Sequence, residues 1–140
     1  MTPEQISLVR ASFAQVAPIA DKAAEIFYGR LFSVAPAVKP LFRNDMKAQG
    51  RALMGMLGQA VASLDRLDAI VPAVQASGRR HVAFGAKPEH YPVVGDCLLW
   101  TLEQALGDGF TPALRDAWAT AYGVLAKTMI DAAESAAVPA

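Results

Sequence analysis

Histidine and cysteine are scarce in this chain, with two histidines, His81 and His90, and one cysteine, Cys97, among 140 residues. A lone cysteine cannot close an internal disulfide, which fits a reducing compartment. These three soft side chains also fall short of the set a protein-built zinc site needs. No run of 18 apolar residues is present, so no membrane-spanning helix is expected. The start, Met1-Thr2-Pro3-Glu4-Gln5, lacks the basic stretch and apolar core of a signal peptide, so a cytoplasmic location is expected. A formal net charge of zero leaves no footprint for nucleic acid. Gly55-Met56-Leu57-Gly58 lacks the lysine and the strand of a phosphate loop. No Gly-x-Ser-x-Gly elbow, paired-cysteine motif or Glu-x-x-His pattern occurs. Strand signals are missing too: there is no useful alternating Val/Ile/Thr run and no Asn-Gly turn.

Amphipathic helix fills the space these absences leave. Thr2 before Pro3, with Gln5 three positions on, reads as a capping box opening a helix with Ile6, Val9, Phe13 and Val16 on one face. Pro18 interrupts it, and a second helix to about Val34 buries Ala24, Phe27, Tyr28, Leu31 and Phe32. Pro36 begins a short irregular turn reaching Phe42. Asn44 or Asp45 caps a long helix whose stripe is Met46, Gln49, Leu53, Leu57, Ala60 and Leu64. After Asp65 a helix starts near Pro72, carries Val71, Val74, Gly78 and His81 on one side, and closes at Gly85 and Pro88. Pro92 opens the next, which ends at Gly107 and Gly109. Thr111-Pro112 starts the last, striped by Leu114, Trp118, Ala121, Leu125 and Met129, with a frayed tail expected from Ala132. The expectation is a single all-α domain over 1–140 with about six to eight helices. Hydrophobic residues make up 54% of it, so either the core is unusually large or an apolar ligand sits inside.

Three polar residues lie on apolar stripes. His81, one imidazole on a greasy helical face, suggests a buried cofactor held by one axial ligand. Taken singly, a lone histidine is more often an ordinary core or surface residue. Gln49 needs a partner if buried; it is either a donor to something bound inside or a half-exposed residue near a helix start. A buried Tyr28 needs a partner as well, or is plain core. His90, between Pro88 and Pro92, reads as an exposed connection. Arg79-Arg80 reads as a solvated face from which one arginine could pair with an anion.

Several segments together resemble a known family. Arg79-Arg80-His81-Val82-Ala83-Phe84-Gly85 and Lys87-Pro88-Glu89-His90-Tyr91-Pro92-Val93-Val94-Gly95 are similar to the proximal region of bacterial single-domain globins and of the globin domain of flavohaemoglobins. Phe27-Tyr28-Gly29-Arg30-Leu31-Phe32 and Ala117-Trp118-Ala119-Thr120-Ala121-Tyr122-Gly123-Val124 are similar to other parts of those proteins, in the same order along nearly the whole chain.

The resemblance implies a globin fold around haem b (iron protoporphyrin IX). It implies His81 as the proximal ligand, Phe42 packed on the haem face, Leu53 over the gas site, and Tyr91 helping to orient the histidine. Tyr28 and Gln49 become the distal pair that hydrogen-bonds bound dioxygen. Leu57 and Val94 complete the apolar sandwich, and Arg80 becomes a candidate for a haem propionate. The implied activity is reversible dioxygen binding on ferrous iron, for transport or storage, with nitric oxide and carbon monoxide as other ligands. The alternative is a nitric oxide dioxygenase working with a separate reductase, since no flavin- or nicotinamide-binding segment is visible in the 140 residues. A haem-free or bilin-binding signalling module is a third reading, which lacks a transmitter domain. The state expected is a monomer or weak homodimer. One departure stands out: the flavohaemoglobin glutamate that pairs with the proximal histidine falls on Ala133, with Glu134 about 100° away around the helix.

Overall fold

The computed structural model describes residues 1–41, 45–83, 87 and 89–137, with backbone only at 82, 83 and 134–137. Among them are six α-helices and no strand: α1 Pro3–Val16, α2 Ala20–Val34, α3 Met46–Ala62, α4 Leu67–Ala83, α5 His90–Leu106 and α6 Pro112–Ala137. Short 3₁₀ turns occupy Ala17–Ile19, Pro36–Leu41 and Gly107–Gly109. None of the described helices is long and apolar enough to cross a membrane.

Local chemistry sets most of these boundaries. The Thr2 hydroxyl accepts from Gln5 N–H at 3.1 Å, and the Gln5 side chain accepts from Thr2 N–H at 3.0 Å, closing the capping box. Asp45 caps α3 by accepting from the amides of Lys47 and Ala48. Thr111 does the same for α6 through Leu114 N–H at 3.2 Å. Pro18 and Pro40 sit inside 3₁₀ turns, where the missing amide costs less than in an α-helix interior. Two boundaries differ from the sequence reading. Pro72 is the sixth residue of α4, not its start, because the helix already begins at Leu67. The α6 backbone stays helical to Ala137, five residues past Ala132.

Helix α4 packs on α6, α2 packs on both α3 and α5, and α1 crosses α6 and α3. Val9, Leu31 and Cys97 are the largest fully buried side chains. Trp118, 2% exposed, donates its indole N–H to the hydroxyl of Ser12, 3% exposed, at 2.9 Å, and that hydroxyl donates to the Val9 carbonyl. Two crossings depend on glycine. A Cβ at Gly50 would stand 2.9 Å from the Ala24 Cβ, so its absence lets α3 close on α2. A Cβ at Gly78 would meet the Met129 carbonyl oxygen at 2.4 Å, so α4 lies against the bare backbone of α6. The first crossing brings the N-terminal half of α3 to α2, and the second fixes the helix that carries His81.

Candidate functional site

Tyr28 is buried in α2. Gln49 is half-buried in the first turn of α3, one residue before the Gly50 crossing. Gln49 stands close enough to the Tyr28 hydroxyl to act on it as a polar partner, so the structure brings this pair together. Burial pushes the Tyr28 hydroxyl above the ordinary tyrosine value, and Gln49 partly offsets that rise. Tyr28 is therefore a neutral phenol near pH 7, with a hydroxyl proton to donate. Leu53, one turn beyond Gln49, is half-buried, and Leu57 is buried. Both line an apolar cavity of ≈ 20 Å³ shared with Phe27, Leu98 and Trp118.

His81 is half-buried in the last turn of α4. Its Nδ1 lies 2.6 Å from the carbonyl oxygen of Ser77, one turn back. A carbonyl only accepts, so Nδ1 must carry the proton. The lone pair of the neutral ring is then on Nε2, at the far side of the ring from the backbone, free to meet a metal. A cation in the last helical turn also suits the negative end of α4, where Arg80 is exposed. Arg80 has no ion pair among the described residues.

Helix α5 carries two more of the expected residues. Tyr91 and Val94 are half-buried in its first turns. The Tyr91 carbonyl accepts the hydroxyl of Tyr122 from α6 at 2.7 Å. Burial raises both phenols above their ordinary values, Tyr122 strongly so, with further contributions there from Tyr91, Cys97 and Asp96. His90 is not on an open connection: it is the first residue of α5, half-buried, and its Nδ1 accepts from Lys87 N–H at 3.1 Å. Phe42, expected on the haem face, lies outside the described residues.

Two contributors escaped the sequence reading. Ser77 anchors His81 by its carbonyl and is itself buried; the signal was the i, i+4 spacing, which any helix offers. Tyr122 lies within a segment whose resemblance is noted above, but its hold on Tyr91 required the fold.

The donor set suits a tetrapyrrole rather than a bare ion. Among the described residues no three His, Cys, Asp or Glu side chains gather to hold a metal. One imidazole with a fixed tautomer, and a phenol paired with an amide elsewhere, are the chemistry of a cofactor that needs a single protein ligand.

Comparison with known proteins gives the family. The globin family pattern matches residues 25–129. The chain is 36% identical over 139 residues to a flavohemoprotein of Pseudomonas putida, and 40% identical over 107 residues to one of Bacillus subtilis. These alignments take in 96% and 74% of this chain but only 36% and 27% of those relatives, so it spans about a third of their length. A solved bacterial globin from Campylobacter jejuni superposes with a TM-score of 0.84 at 30% identity, covering 96% of this chain and 98% of that one. The relatives imply a haem cofactor, and the chain belongs to the globin family.

Proposed function

We propose that residues 1–140 form one globin domain that binds dioxygen reversibly on ferrous haem b, for storage or transport in the cytoplasm. When bound, haem supplies a ferrous iron with an open position for a diatomic gas. His81 would hold it through Nε2, and Leu53, Leu57, Val94 and Phe42 would cover its faces. Arg80, exposed at the end of α4, would pair with a propionate.

The observation that carries the reading is the pairing of buried Tyr28 with the polar Gln49 side chain. A phenol and an amide held together in an apolar setting offer donors to a gas that becomes partly negative on binding. Neither group titrates near neutrality: Gln49 cannot, and burial moves Tyr28 upward from about 10. Gas retention is therefore expected to be flat between about pH 6 and 9, unlike a pocket gated by histidine.

Tyr28→Phe tests this. Loss of one donor to a partly charged acceptor is expected to raise the dioxygen off-rate by about tenfold or more, read by stopped-flow replacement with carbon monoxide. An unchanged off-rate removes Tyr28 from the site.

The relatives' names join a flavin to a haem, which favours a second reading, nitric oxide dioxygenation with electrons from a reductase. Many turnovers of nitric oxide consumption with a partner reductase support it; one turnover per haem leaves the binding role.

A further inference from the structure

The helix that carries His81 is gripped from two sides at one turn. On one side Gly78 lies against the α6 backbone at Met129. On the other, Ser77, 4% exposed, donates its hydroxyl to the Met56 sulfur of α3 at 3.5 Å. The carbonyl of the same Ser77 holds His81 Nδ1. α3 is also the helix that bears Gln49 and Leu53. One residue thus touches the imidazole through its backbone and the distal helix through its side chain.

We propose that the Met56–Ser77 contact positions the His81 imidazole, with Ser77 as a positioning residue that ties the distal helix to the proximal one. The reading rests on His81 being the haem ligand. A thioether is a weak acceptor, but it is soft and adaptable, and the Ser77 hydroxyl is buried. Loss of the sulfur leaves that hydroxyl only bonds within its own helix. The turn can then rotate, and the Ser77 carbonyl moves relative to Nδ1. Met56 is 38% exposed, so its replacement leaves little core to refill. This separates positioning from packing.

The test is a double-mutant cycle on the haem-loaded protein with Met56→Leu, Ser77→Ala and the pair. The first readout is haem transfer to an excess of apomyoglobin. Each single variant is expected to speed haem loss about three- to tenfold, the range of one net hydrogen bond. The double variant should be no faster than the faster single. The second readout is the exchange lifetime of the His81 Nδ1 proton, by NMR of the ¹⁵N-histidine-labelled ferrous carbonyl form. It should shorten in Met56→Leu, whose melting temperature stays near that of the parent.

Unchanged rates in both single variants, or a double variant whose rate is the product of the two effects, overturn the proposal. If instead His81→Ala keeps its haem, the site reading fails and the proposal falls with it. Normal haem binding through His81 with two independent variants sinks the contact alone.

Discussion

Gly78→Ala puts a methyl group where α6 has left no room for one. The new Cβ would stand 2.4 Å from the Met129 carbonyl oxygen, 2.7 Å from its Cα and 2.9 Å from its carbonyl carbon. Contact between such atoms is comfortable near 3.5 Å, so α4 must retreat from α6 by roughly 1 Å. All three atoms belong to backbone and cannot rotate aside. Overpacking of this kind costs about 1–3 kcal/mol, and the severity of the clash argues for the upper part of that range. Alanine restores about 1 kcal/mol of helix propensity. The net loss is about 1–2 kcal/mol, or about 3–7 °C in melting temperature for a domain of this size. Gly55→Ala is the control. Gly55 lies exposed in mid-α3, with nothing within 4 Å of its would-be Cβ. It should gain up to about 1 kcal/mol, because only the propensity change applies. The assay is thermal unfolding followed by far-ultraviolet circular dichroism. Opposite signs are expected. A Gly78→Ala protein as stable as its parent, or two variants that shift the same way, would refute the reasoning.

His81→Ala should abolish stable haem binding, and a retained Soret band in the purified variant contradicts the site. Ser12→Ala strands the indole N–H of Trp118 in the core, which should lower stability by about 1–3 kcal/mol in urea; an unaltered midpoint means another acceptor takes over. The Arg10 guanidinium holds the Asp65 carboxyl below the usual carboxylate range. That stabilisation is present above the unfolded pKa and lost as pH falls through the folded one. The deficit of Arg10→Gln at neutral pH should therefore shrink in acid. A deficit that persists in strong acid would instead place Arg10's value in its bonds to the carbonyls of Val61 and Ala62.

Helix caps were the most legible part of the fold. Thr2, Asp45 and Thr111 each bring their own oxygen to a nearby amide, so a few adjacent residues settle the outcome. Pro72 misled because a proline usually marks a first turn, whereas α4 accommodates it in its sixth position. His81, Gln49 and Tyr28 were visible as polar residues on apolar stripes, which requires only the helical period. Their partners were not visible. The meeting of Tyr28 with Gln49 depends on the Gly50–Ala24 crossing, and the hold of Ser77 on Met56 joins positions 21 residues apart. Spacing along one helix carries no information about the angle between two. His90 shows the converse error, since proline neighbours suggested a loop while the Lys87 amide draws its ring into the start of α5.

The charge balance across the site bears on what the protein does with a gas. The acceptor for the His81 Nδ1 proton is a backbone carbonyl, which is neutral. Where the resemblance leads one to expect a carboxylate, position 133 holds a half-buried alanine. A carboxylate partner would draw that proton away and make the imidazole a stronger electron donor, the quality that drives cleavage of an oxygen–oxygen bond. A carbonyl partner gives orientation with little added donation. Under the proposed function, the polarity available to a diatomic ligand would come mainly from Tyr28 and Gln49, whose donors would hold a ligand rather than break it. On that proposed reading the division would favour retention over cleavage. It also assigns the two halves of the site separate measurements: changes at Ser77 should appear in how firmly haem is held, and changes at Tyr28 in how long the gas stays.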